Sequence, residues 1–93
     1  MRSKSHIWRV LTALSSPKPE KGFYRGVADC FEAALSVPTR ELRRWSAART
    51  AVVQEWLSSE ALSELVEYNL VEYYRGVQAA LVWIRSPASE ERR

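Results

Sequence analysis

Apolar side chains recur every three or four residues along almost the whole chain and never alternate as a half-buried strand requires, so the pattern predicts helices throughout. Four are expected. The first, about residues 5–15, carries Ile7, Val10, Leu11 and Leu14 on one side and stops at Pro17 and Pro19, which forbid continuation. The second, about residues 20–36, gathers Phe23, Tyr24, Val27, Cys30, Phe31, Ala34 and Leu35. Pro38 breaks the chain, Thr39 is placed to cap the third helix, and Ser58 and Ser59 are placed to cap a fourth that ends by Arg85. An unbroken 39–84 helix with a kink is the alternative to that second cap.

The fourth helix has the strongest pattern, with Leu62, Leu65, Val66, Asn69, Leu70, Tyr73, Gly76, Val77, Ala80, Trp83 and Ile84 along one face. Gly76 and Ala80 leave room there for a neighbouring backbone. Asn69 needs a partner or a route to water. On the opposite side Tyr68, Val71, Tyr74 and Val82 lie among glutamates, so a second buried surface is expected, as a homodimer or a partner groove. Tyr24-Arg25-Gly26-Val27 recurs as Tyr74-Arg75-Gly76-Val77. The copies project differently, Gly76 near the centre of its apolar face and Gly26 at the margin of its own, which favours coincidence over duplication.

In the third helix Leu42, Trp45, Val52, Val53 and Trp56 fall on one stripe with Arg49 in its middle, while Arg40, Arg43 and Arg44 fall opposite. Cations in a first turn oppose the helix dipole, at some tenths of a kcal/mol each, so an acid or an anionic partner is the natural compensation. Arg49 reads either as an arginine whose stem packs on Trp45 and Trp56 with its head in water, or as an interface anchor.

Charge and composition narrow these readings. Ninety-three residues fit one small domain, placed at 1–85 with a frayed tail at 86–93. Fourteen cations against 11 acids leave a net charge of +3, too little to demand nucleic acid. That balance hides a basic front and an acidic last helix bearing Glu60, Glu64, Glu67 and Glu72. A single cysteine, Cys30, excludes an internal disulfide and makes a reducing cytoplasm the expected location. No run approaches the length of a membrane span, and the Arg-containing start reads as a packing helix, with a transit peptide as the alternative.

Catalytic tools are scarce. His6, Cys30 and Asp29 are the only residues of their kinds, no ligand set for zinc or di-iron exists, and no glycine-rich phosphate loop is present. An enzyme, a cofactor, a metal and a small-molecule substrate are therefore not expected. Glu60, Glu64 and Glu67 share a stripe but have nothing apolar around them to split their pKa values.

Residues 31–45, Phe-Glu-Ala-Ala-Leu-Ser-Val-Pro-Thr-Arg-Glu-Leu-Arg-Arg-Trp, resemble a helix-turn-helix of the transcription-regulator kind, with Phe31, Leu35, Val37, Leu42 and Trp45 at its apolar positions. Glu32 and Ser36 stand where that motif has a small residue and a glycine. The resemblance implies a turn at residues 36–38 and a recognition helix that presents Thr39, Arg40, Arg43 and Arg44 to DNA. The sequence taken whole points to a small all-α bundle of three or four helices with a long amphipathic C-terminal helix. It would bind a protein partner or itself through Arg40, Arg43, Arg44, Arg49, Trp45, Tyr68, Val71, Tyr74 and Val82, with DNA binding through the 39–49 helix as the alternative.

Overall fold

A computed structural model of the chain describes residues 1–14, 19–58 and 68–86, without the side chains of residues 68 and 69. The protein is a small all-α bundle: α1 Lys4–Leu14, α2 Phe23–Ser36, α3 Leu42–Ser58 and α4 Tyr68–Arg85, with a 3-10 turn, Thr39–Glu41, ahead of α3. Ser58, expected to cap the next helix, is the last residue of α3, and its hydroxyl donates back to the Gln54 carbonyl at 2.7 Å. The expected capping at Ser59, the apolar positions Leu62, Leu65 and Val66, the glutamates of residues 60–67, the side chains of Tyr68 and Asn69, and the tail beyond Ser86 lie outside the described residues.

Local chemistry sets the helix ends. The His6 amide donates to Ser3 Oγ at 3.2 Å, so Ser3 caps α1. Gly22, at φ +83°, turns the chain into α2, where an L side chain would be strained. Val37 closes α2 by donating its amide to the Ala34 carbonyl at 3.2 Å, and Pro38 stops it. Thr39 is not the cap the sequence predicts. It lies inside the 3-10 turn, whose leading Pro38 makes no side-chain cap bond, and Glu41 supplies the acid beside the arginines.

The N-terminal segment ties two helix ends together. The Arg2 amide donates to the Ile84 carbonyl at 2.8 Å, Arg2 Nε donates to the Trp83 carbonyl at 3.2 Å, and the guanidinium sits 4.7 Å above the Trp83 ring. Lys4 Nζ donates to the Leu35 carbonyl at 3.2 Å. Lys4 thus satisfies a carbonyl at the end of α2, and Arg2 adds a charged donor to the Trp83 carbonyl, which also accepts the Ser86 amide; the dipole favours positive charge at both helix C-termini. Because the ends of α2 and α4 meet the same segment, these two helices run parallel. Trp56 packs on Tyr74 while Thr50 shares a hollow with Val82 and Arg85, so α3 runs antiparallel to α4 and 39–84 is not one helix.

At the centre α2 and α4 cross through their two glycines. A methyl group added at Gly26 would fall on the Tyr73 carbonyl oxygen and lie 3.0 Å from the Val77 amide nitrogen. One added at Gly76 would fall on the Phe23 carbonyl oxygen and lie 3.1 Å from the Val27 amide nitrogen. The repeated Tyr-Arg-Gly-Val segments are therefore the two halves of one near-symmetric crossing, and Gly26 is central rather than marginal.

Around that crossing the core holds Ile7 and Leu11 of α1, Val27, Phe31 and Ala34 of α2, Leu42 and Val53 of α3, and Ala80, Leu81 and Ile84 of α4. Three residues differ from the faces assigned by spacing. Tyr24 is 60% exposed and Leu70 40% exposed, whereas Leu81, absent from the predicted face, is fully buried. Leu81 is buried because α4 lies between α2 and α3 and buries two faces rather than one. Ser46 is also fully buried, its hydroxyl donating to the Arg43 carbonyl at 3.0 Å. Among the described residues no helix is long and apolar enough to cross a membrane.

Candidate binding groove

The stripe on α3 divides in two. Leu42, Ser46 and Val53 turn into the core, while Trp45, Arg49, Val52 and Trp56 line an open groove closed by α2 and α4. Val52 and Trp56, assigned by periodicity to the apolar stripe, remain exposed, Trp56 by 47%. The groove holds about 290 Å³, with Cys30, Val77 and Leu81 among its deeper lining and Tyr73, Tyr74 and Asp29 along the facing side. The Trp56 and Tyr74 rings lie 5.1 Å apart at 40°, and Tyr74 meets Tyr73 edge-on at 5.4 Å, which makes a continuous aromatic wall.

Asp29 and Arg49 are the two charged residues among the described lining, and their situations differ. Arg25, one turn earlier on α2, donates Nε to both Asp29 oxygens at 3.0 and 3.1 Å, and the Tyr73 hydroxyl donates to Oδ2 at 2.7 Å across the helix crossing. The Asp29 charge is thereby satisfied. Burial, then the bond to Asp29, pushes the Tyr73 phenol up to about 12, so it stays a donor at neutral pH. Burial also pushes the Cys30 thiol up to about 12, against a smaller opposing pull from Arg49. The thiol is therefore neutral packing, not a nucleophile. Arg49, by contrast, is exposed and makes no hydrogen bond or ion pair among the described residues.

The sequence-predicted contact residues do not form one patch. Trp45, Arg49 and Tyr74 come together in this groove. Val71 and Val82 face a separate hollow with Phe23, Leu57 and Arg75. Expected to lie exposed together, Val71 and Tyr74 are half-buried, because α3 covers that side of α4, and Val82 is 61% exposed. Arg40, Arg43 and Arg44 are all exposed at the start of α3 and do not line the groove. Tyr68 falls outside the described side chains. Sequence reasoning missed Asp29, Tyr73 and Arg25 as a unit. The Arg25–Asp29 spacing of one helical turn was the available signal, whereas Tyr73 joins them across 44 residues.

Among the described residues no three or more His, Cys, Asp or Glu side chains gather as a metal site would require. Compared with protein-family models, curated proteins and solved structures, the chain matches none.

Proposed function

We propose that this is a non-enzymatic helical binding protein, an adaptor, inhibitor or assembly factor, that takes a protein partner or a second copy of itself through the groove between α3 and α4. The observation that carries this reading is Arg49, Val52 and Trp56 left exposed in one line with the half-buried Trp45. Tryptophan and arginine dominate binding hot spots because each offers a large contact area together with a directed polar group. Monomeric proteins rarely leave such groups contiguous and open.

A photoreactive side chain at Val52 tests it. In the source cell it should capture one discrete polypeptide, and the same group at Ala47, which does not line the groove, should not. No capture at Val52, or equal capture at both positions, would contradict the reading.

A second reading has one observation in its favour: Arg40, Arg43 and Arg44 are all exposed around one turn, suited to phosphates and guanine edges. On that reading the chain is a DNA-binding regulator, and its binding must weaken steeply as salt rises.

A further inference from the structure

From the groove's single uncommitted charge we infer that its occupant is an acidic amphipathic helix, which sets a carboxylate on Arg49 and places bulky apolar side chains against Trp45 on one side and Val52 and Trp56 on the other. The inference rests on the protein-contact reading above and specifies the partner's chemistry.

Three features of the groove lead to it. Asp29 spends its charge on Arg25 and Tyr73, so the net charge presented to an incoming ligand is that of Arg49. A guanidinium among aromatic and aliphatic walls gains most from a partner that excludes water, since a charge-assisted bond strengthens as the local dielectric falls. A carboxylate takes that position with two parallel bonds, which an amide or a hydroxyl cannot reproduce.

The shape selects a helix. Trp45 and Trp56 stand 11 positions apart on α3, a run of about 16 Å at the helical rise. A volume of about 290 Å³ spread over that length is shallow, so it admits side-chain anchors rather than enclosing a whole ligand. Anchors one and two turns apart on one face are the pattern that an amphipathic helix presents to a groove. A nucleic-acid strand is the poorer occupant. Its charges recur along its length, and Arg49 is the one cation among the described lining.

The test uses the full chain and short synthetic helices with a leucine one turn before a central glutamate and another two turns after it. Matched peptides carry glutamine or lysine at the centre, and a single-stranded oligothymidylate serves as the nucleic-acid arm. Binding is followed by the indole N–H resonances of Trp45 and Trp56, with Trp8 and Trp83 as internal references, up to about 1 mM ligand. The glutamate peptide should shift Trp45 and Trp56 and bind about tenfold more tightly than the glutamine peptide, with lysine weaker still. In Arg49→Gln the glutamate preference should fall below about twofold while the Trp83 resonance stays in place, which shows the fold intact.

Equal binding of the three peptides at the groove would overturn the acidic partner and leave the protein-contact reading standing. Groove shifts appearing only as the protein concentration rises, or with the oligothymidylate alone, would overturn the acidic partner as well, the first naming a second copy and the second a nucleic acid. No shift at Trp45 or Trp56 with any ligand would overturn both the inference and the reading beneath it.

Discussion

Gly26 and Gly76 occupy equivalent positions in the crossing of α2 and α4, each lacking a methyl group that would strike the other helix's backbone. Helix propensity alone would favour alanine at either site by about 1 kcal/mol. The crossing reverses that preference, because a carbonyl oxygen cannot swing aside as a side chain can. Gly26→Ala and Gly76→Ala should each lower stability by about 1–3 kcal/mol in urea unfolding, and by similar amounts. The double variant should lose less than the sum, since the first methyl already parts the helices. A large loss at Gly76 alone would mean that only one side of the crossing is close.

Raising the pH should weaken the fold. The Tyr73 phenol and the Cys30 thiol are both held above their ordinary values of 10.0 and 9.0, to about 12. The folded state keeps protons that the unfolded chain gives up, so this stability is complete below pH 9 and is lost as pH rises towards 12. Melting temperature should therefore stay level to about pH 9 and fall beyond it. Tyr73→Phe and Cys30→Ala should each make that fall shallower. An unchanged slope in both would contradict the burial assigned to these groups.

Cys30 should also resist thiol reagents. At pH 8 the native protein should react with dithiobisnitrobenzoate far more slowly than the unfolded chain, at a rate that rises with urea as the fold opens. Fast native labelling would place the thiol at the surface instead.

Arg2 links the first residues to the end of α4. Arg2→Ala removes a hydrogen bond from a charged donor and a cation–aromatic contact, both at a largely buried side chain. The expected loss is about 1–2 kcal/mol in urea unfolding. Lys4→Ala, which removes one bond from a half-buried ammonium, should cost less. The reverse order would show that the Trp83 contact contributes little.

Helix positions were legible because proline and periodicity act locally: Pro38 falls where α2 ends, and the apolar stripe of α1 is the one buried, through Ile7 and Leu11. Which face each helix buries was less legible. A helix packed on one neighbour shows one stripe, but α4 is covered by both α2 and α3, so Leu81 and Tyr74 could not be placed from spacing alone. On α3 the apolar arc is wider than the core needs, and Trp56 and Val52 are the surplus. The groove was half visible, as Arg49 among tryptophans. Its other wall depends on Tyr73 and Tyr74 meeting α2 and α3 across tens of residues, which no local pattern encodes.

The most direct test weighs the two arginine sites against each other with the partner captured at Val52. Affinity should be measured for the unaltered chain, for Arg49→Ala, for Trp56→Ala and for the joint change of Arg40, Arg43 and Arg44 to alanine, across a salt series. Arg49→Ala and Trp56→Ala should each weaken binding by about thirtyfold, near 2 kcal/mol. The triple change should weaken it by no more than about threefold, with a shallow dependence on salt. Binding that survives Arg49→Ala and Trp56→Ala, collapses in the triple variant and falls steeply with salt would contradict the groove as the contact surface.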